Sequence, residues 1–120
     1  MNASEIISQY AQQIGLDPQA ALTEVKKIMD TPDGQIVKKN DSVFVLQRLD
    51  KGVSGIHLFT ADDPQSLLTS IQSVIQQLKQ SGIAKIYGEK ENQELIDALS
   101  QLGIQVENSD IPDYAWSATI

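Results

Sequence analysis

Few side chains in this sequence are equipped for chemistry. The single histidine, His57, stands in the apolar stretch Ile56-His57-Leu58-Phe59. An imidazole there has two readings: a general base, or a hydrogen-bonded structural residue inside a strand. If His57 were a base, Tyr87 and Tyr114 are the phenols that would return a proton to a leaving group. No cysteine is present, which excludes disulfides, thiol nucleophiles and cysteine-ligated zinc, and one histidine is too few for a multi-histidine cage. Asp62 and Asp63 are adjacent and lack the alternating acids and central glycine of a calcium loop, so they read as helix caps and no metal is expected. Glu89, Glu91, Glu94 and Asp97 surround the start of a helical stretch, where the macrodipole favours negative charge. The same acids would suit a basic partner, which makes Glu89 and Glu91 interface candidates. Trp116, the only tryptophan, is either core or an anchor at an interface.

Charge narrows the partners. Nine Lys and Arg against sixteen Asp and Glu give a formal charge of -7, which repels phosphate backbones and anionic lipid. Arg48 is the only arginine, so no set of guanidinium groups can clamp a phosphate. No nucleic-acid or membrane partner is expected, and no apolar run approaches the roughly 18 residues of a spanning helix. The N-terminus lacks the basic start and apolar centre of a signal peptide, so the chain reads as intracellular. Its 120 residues read as one domain, 1–120.

The elements that must position these residues are legible from periodicity. Ser4 can cap a first helix with Ile6, Ile7, Tyr10, Ala11 and Ile14 on one face, ended by Gly15. Asp17-Pro18 starts a second, with the stripe Ala21, Leu22, Val25, Ile28 and Met29, broken by Thr31-Pro32-Asp33-Gly34. The period then falls to two in Gln35–Lys39, Ser42–Leu49 and Val53–Phe59, separated by Asn40-Asp41 and Asp50-Lys51-Gly52. Those separators are hairpin turns, so an antiparallel meander is expected. Asp63-Pro64 opens a helix carrying Leu67, Leu68, Ile71, Val74, Ile75 and Leu78 up to Gly82, and Ile83–Tyr87 is a strand. Asn92 begins a last helix with Leu95, Ile96, Leu99 and Leu102, closed by Gly103. Ile104–Val106 and Tyr114–Ile120 are strands, the latter with Tyr114, Trp116 and Ala118 on one side. The fold class is α+β with a mixed sheet, in the order ααβββαβαββ.

That order is similar to the core of the GNAT superfamily of N-acetyltransferases without its usual first strand. The local match is the strand Lys85-Ile86-Tyr87-Gly88, then Asn92, then a helix ending Leu99-Ser100-Gln101-Leu102-Gly103-Ile104, where the family has Tyr-x-x-x-Gly-Phe. The resemblance implies a coenzyme A pyrophosphate held by a glycine-rich loop at a helix start. Here that stretch is Thr60-Ala61-Asp62-Asp63-Pro64-Gln65-Ser66-Leu67, which has no glycine and one proline without an N–H. Two like unit charges about 4 Å apart repel by roughly 4 kcal/mol at an effective dielectric near 20, so its two carboxylates oppose a phosphate. The family's acid Tyr falls on Leu99, which holds no proton to give. The resemblance, with these departures, implies a degenerate and non-catalytic copy of the fold that takes no acetyl-CoA or other cofactor. It looks like the small GNAT-like proteins of tailed bacteriophages, acting in the bacterial cytoplasm or the virion by binding a protein partner or itself. The alternative is a divergent acetyltransferase or small-ligand enzyme using His57 with Tyr87 or Tyr114.

Overall fold

The computed structural model describes residues 1–89 and 92–120. In chain order the elements are α1 (Ala3–Gln13), α2 (Pro18–Met29), β1 (Gly34–Lys39), β2 (Ser42–Asp50) and β3 (Val53–Thr60), then α3 (Pro64–Gln80), β4 (Lys85–Gly88), α4 (Gln93–Gln101), β5 (Val106–Asn108) and β6 (Trp116–Thr119). The expected order ααβββαβαββ is the observed one. The strands form one sheet in the order β1-β2-β3-β4-β6-β5. Among the described residues only β3 and β4 pair in parallel; the remaining neighbours are antiparallel, so the sheet is mixed.

Helices cover both faces of the sheet. Residues of α3 and α4, including Leu67, Ile71, Val74, Leu95 and Leu99, pack with Phe44, Leu46, Ile56, Leu58, Ile86 and Trp116 into the main core. On the opposite face Ile6, Ile7 and Val25 pack on Val43 and Val45. Strand β2 is therefore buried at five successive positions, Ser42 to Leu46, instead of alternating, as a strand with both faces covered must be. Each apolar side chain taken out of water in this way contributes about 1.5–3 kcal/mol.

Local chemistry explains the boundaries and corrects several expected ones. The cap of α1 is Asn2, two residues before Ser4, because Asn2 and Glu5 satisfy each other's backbone N–H groups reciprocally. The strands expected from Ile83 and Ile104 start later, at Lys85 and Val106. In both cases the isoleucine N–H is already used: Ile83 donates to Leu78 O and Ile104 to Leu99 O, each bond closing a helix end over a glycine in the left-handed region. The last strand narrows from Tyr114–Ile120 to Trp116–Thr119. Trp116 and Ala118 face the main core as expected, whereas Tyr114 precedes the strand and packs against Gly55 and Tyr87 on the other face.

Trp116 is 3% exposed, and its indole N–H donates to the Glu89 carbonyl at 3.0 Å. Of the two roles expected for it, the ring takes the first and packs in the main core. The ring rests on the backbone of β4 at its cross-strand partner Gly88, where an added Cβ would come within 2.1 Å of a ring carbon. A Gly88→Ala variant is expected to lose stability by an overpacking cost of about 1–3 kcal/mol, read as a lower midpoint in urea unfolding.

Candidate functional site

Strands β3 and β4 stay together for three residue pairs, Val53 with Lys85, Ser54 with Ile86 and Gly55 with Tyr87, and then part. Beyond Gly55 the peptide groups of β3 on that side need other partners. Asn92 supplies them. Leu58 N–H donates to its Oδ1 at 2.9 Å, and its Nδ2 donates back to the Leu58 carbonyl at 2.9 Å. A buried side-chain amide thus pairs with β3 as a peptide group of a neighbouring strand would. Asn92 Nδ2 also donates to the Tyr10 hydroxyl at 3.3 Å, and Tyr10 donates to Glu94 Oε2 at 2.8 Å. Asn92 does stand before α4, as expected, yet it makes no side-chain capping bond, because the amide is engaged with β3.

Over this closure, between α1, the β3–α3 corner and α4, lies a cleft of about 420 Å³. This is where the resemblance would place the coenzyme A pyrophosphate. The residues present do not fit it. Pro64 brings no N–H, and the Asp63 carboxylate takes the Ser66 N–H at 2.8 Å and the Ser66 hydroxyl at 3.3 Å. The Ser66 N–H bond is the chief reason the Asp63 carboxyl titrates below its ordinary range. The helix end that would attract an anion is satisfied from within the chain. Asp62, expected to share the capping role, instead ties down the β1–β2 hairpin: it accepts from Asp41 N–H at 3.1 Å and from the Ser42 hydroxyl at 2.6 Å. The cleft is lined by the carboxylates of Asp62, Glu94 and Asp97, and no Lys or Arg is among its described lining residues. Leu99, where the resemblance would place an acid Tyr, is fully buried in the core.

The other face of the parting strands gathers the three candidate catalytic residues. His57 Nδ1 lies 3.7 Å from Glu89 Oε1, and its ring centroid is 6.5 Å from that of Tyr114. The Tyr114 ring is 5.8 Å from Tyr87, and its hydroxyl lies over Gly55, where a Cβ would come within 2.6 Å of it. Burial, with the charges of Glu89 and Asp113, pushes the Tyr114 phenol above its ordinary value, so it keeps its proton at neutral pH. Tyr87 donates to Asp110 Oδ1 at 2.6 Å, and that bond is the chief reason the Asp110 carboxyl titrates below its ordinary range. A small apolar pocket of about 170 Å³, lined by Leu16, Val25, Ile28 and Phe59, abuts His57 and Glu89. Of the interface candidates, Glu89 is part-exposed on this patch and Glu91 lies outside the described residues.

Sequence reading missed the bridging of Asn92, the bond from Tyr10 and the partnership of Tyr87 with Asp110. The first two join residues 34 and more positions apart, and the third lies across an irregular loop. Replacing Asn92 with Ala is expected to leave the Leu58 N–H and C=O buried and unpaired at about 1–3 kcal/mol for each group, measured by urea unfolding. Asn92→Asp should not rescue it, since a carboxylate has no N–H to give to the Leu58 carbonyl. The raised Tyr114 pKa means that the folded chain keeps this proton longer than the unfolded one. Stability from this group is therefore intact below the unfolded phenol value of about 10 and declines as pH rises past it. Tyr114→Phe should flatten that alkaline decline in unfolding midpoints taken across the range.

No protein-family model matches the sequence, and no curated protein matches it either. Solved structures do. A GNAT-family acetyltransferase from Staphylococcus aureus superposes with a TM-score of 0.65 at 16% identity, covering 99% of this chain and 95% of its own. The N-acetyltransferase PseH of Campylobacter jejuni, in complex with acetyl coenzyme A, gives 0.56 at 15% identity over 100% and 92% of the two chains. The ribosomal-protein-S18-alanine N-acetyltransferase of Escherichia coli gives 0.55 at 13% identity over 99% and 86%. At these identities it is architecture that is shared: the chain has the GNAT-like α+β fold, with a mixed six-strand sheet and four helices.

Proposed function

We propose that this chain is a non-catalytic protein of GNAT-like fold that works by binding another protein or a second copy of itself, and takes no acetyl-CoA. The observation that carries this reading is the internal satisfaction of the cofactor position: Asp63 and Pro64 occupy the start of α3, and Asn92 occupies the free edge of β3. A pyrophosphate entering there would find acids without cations and a helix start already capped by Asp63 and Pro64. In this reading the chain is a phage-encoded virion or accessory protein acting in the bacterial host cytoplasm or in the particle, as the resemblance drawn from the sequence implies. Among the described residues no helix is long and apolar enough to cross a membrane.

A second reading has its own support. His57, Glu89 and Tyr114 converge beside an apolar pocket, with Tyr114 protonated at neutral pH, which is the arrangement a base and an acid would need in a divergent acyltransferase or small-ligand enzyme.

Titration calorimetry with acetyl-CoA separates the two. The expected result is dilution heat alone and no acetylation of primary amines. A saturable isotherm, or amine acetylation that disappears in His57→Ala, overturns the non-catalytic reading.

A further inference from the structure

The cleft that rejects an anion is still a groove, and its chemistry points to an occupant. Leu67, Leu68, Pro64 and Ala98 give it an apolar wall, and Asp62, Glu94 and Asp97 supply its charge. Each of these carboxylates is met by a neutral donor: Asp62 by the Ser42 hydroxyl and the Asp41 N–H, Glu94 by the Tyr10 hydroxyl, Asp97 by the Gln93 amide at 2.9 Å. None of the ion pairs among the described residues involves any of the three. The volume of about 420 Å³ is that of a binding cleft and not of a packing defect.

We propose that this groove docks an extended basic segment of a partner protein, with Lys or Arg heads against Asp62, Glu94 and Asp97 and aliphatic stems along Leu67 and Leu68. The inference rests on the protein-binding reading above and gives that partner its chemistry. An acidic segment is repelled. A neutral one would cover the carboxylates without pairing them, which costs free energy that a cation recovers. Lys and Arg match both parts of the groove because their long stems lie on apolar surface while the charged head reaches a carboxylate.

The test uses the ¹⁵N-labelled full chain, titrated with a peptide of alternating Lys and Leu, with its Glu and Leu counterpart, and with acetyl-CoA. Amide shifts from the Lys peptide are expected to centre on Asp62, Leu67, Leu68 and Asp97. Asp97→Lys should weaken its binding about tenfold, whereas Glu107→Lys, which changes the net charge equally on β5, should weaken it less than about twofold. The amide spectrum of each variant reports whether it has folded. The proposal is overturned if the Lys peptide gives no saturable shifts, if both variants weaken it equally, or if the Glu peptide binds as well. Acetyl-CoA in the same sample keeps the two claims apart. Shifts from acetyl-CoA bring down the non-catalytic reading, while silence from both acetyl-CoA and the Lys peptide brings down the groove alone.

Discussion

One carboxamide decides what the parting of β3 and β4 becomes. Parallel strands that separate leave peptide donors and acceptors facing a gap, and a buried gap of that kind is unstable unless water, a ligand or the chain itself fills it. Here the chain fills it: both polar atoms of the Asn92 amide meet both polar atoms of Leu58. The same nitrogen reaches Tyr10, whose hydroxyl continues to Glu94, so α1, β3 and the start of α4 meet at one buried point. A ligand that sought the free edge of β3 would have to displace two good hydrogen bonds and unpair a third.

The electrostatics of the β3–α3 corner follow from the same economy. A helix start is an anion site only while its first N–H groups are free. Asp-Pro at this corner stabilises α3 by capping it and setting its first backbone angle, and in doing so removes the groups an external phosphate would use. Asp62 is held to the hairpin that precedes it, so its negative charge is fixed by the fold and not adjustable by a rotamer change. The cleft beside this corner is therefore lined by the carboxylates of Asp62, Glu94 and Asp97, with no Lys or Arg among its described lining residues.

Element order, the meander and most helix limits were legible because they depend on short-range chemistry: Asp-Pro starts, glycine stops and Asn or Gly turns. The strand starts at Ile83 and Ile104 were misplaced for a local reason, since hydrophobicity alone does not reveal that an N–H is already spent on closing a helix. The site was legible only in its parts. His57, Tyr87 and Tyr114 could be chosen by residue type, but their meeting on one face depends on the register of β3 with β4 and on the loop before β6. Asn92 reads from the sequence only as the start of the last helix, and nothing within ten residues of it announces Leu58.

The contact between Trp116 and Gly88 has a practical corollary. The molecule carries one indole, held dry beside the end of β4 and bound through its nitrogen to the carbonyl just beyond, next to the place where the strands diverge. Its ultraviolet emission is therefore an intrinsic optical gauge of that junction, free of interference from any second fluorophore of its kind. Wavelength and quenching will follow whether the sheet's central seam is sealed, without any dye attached.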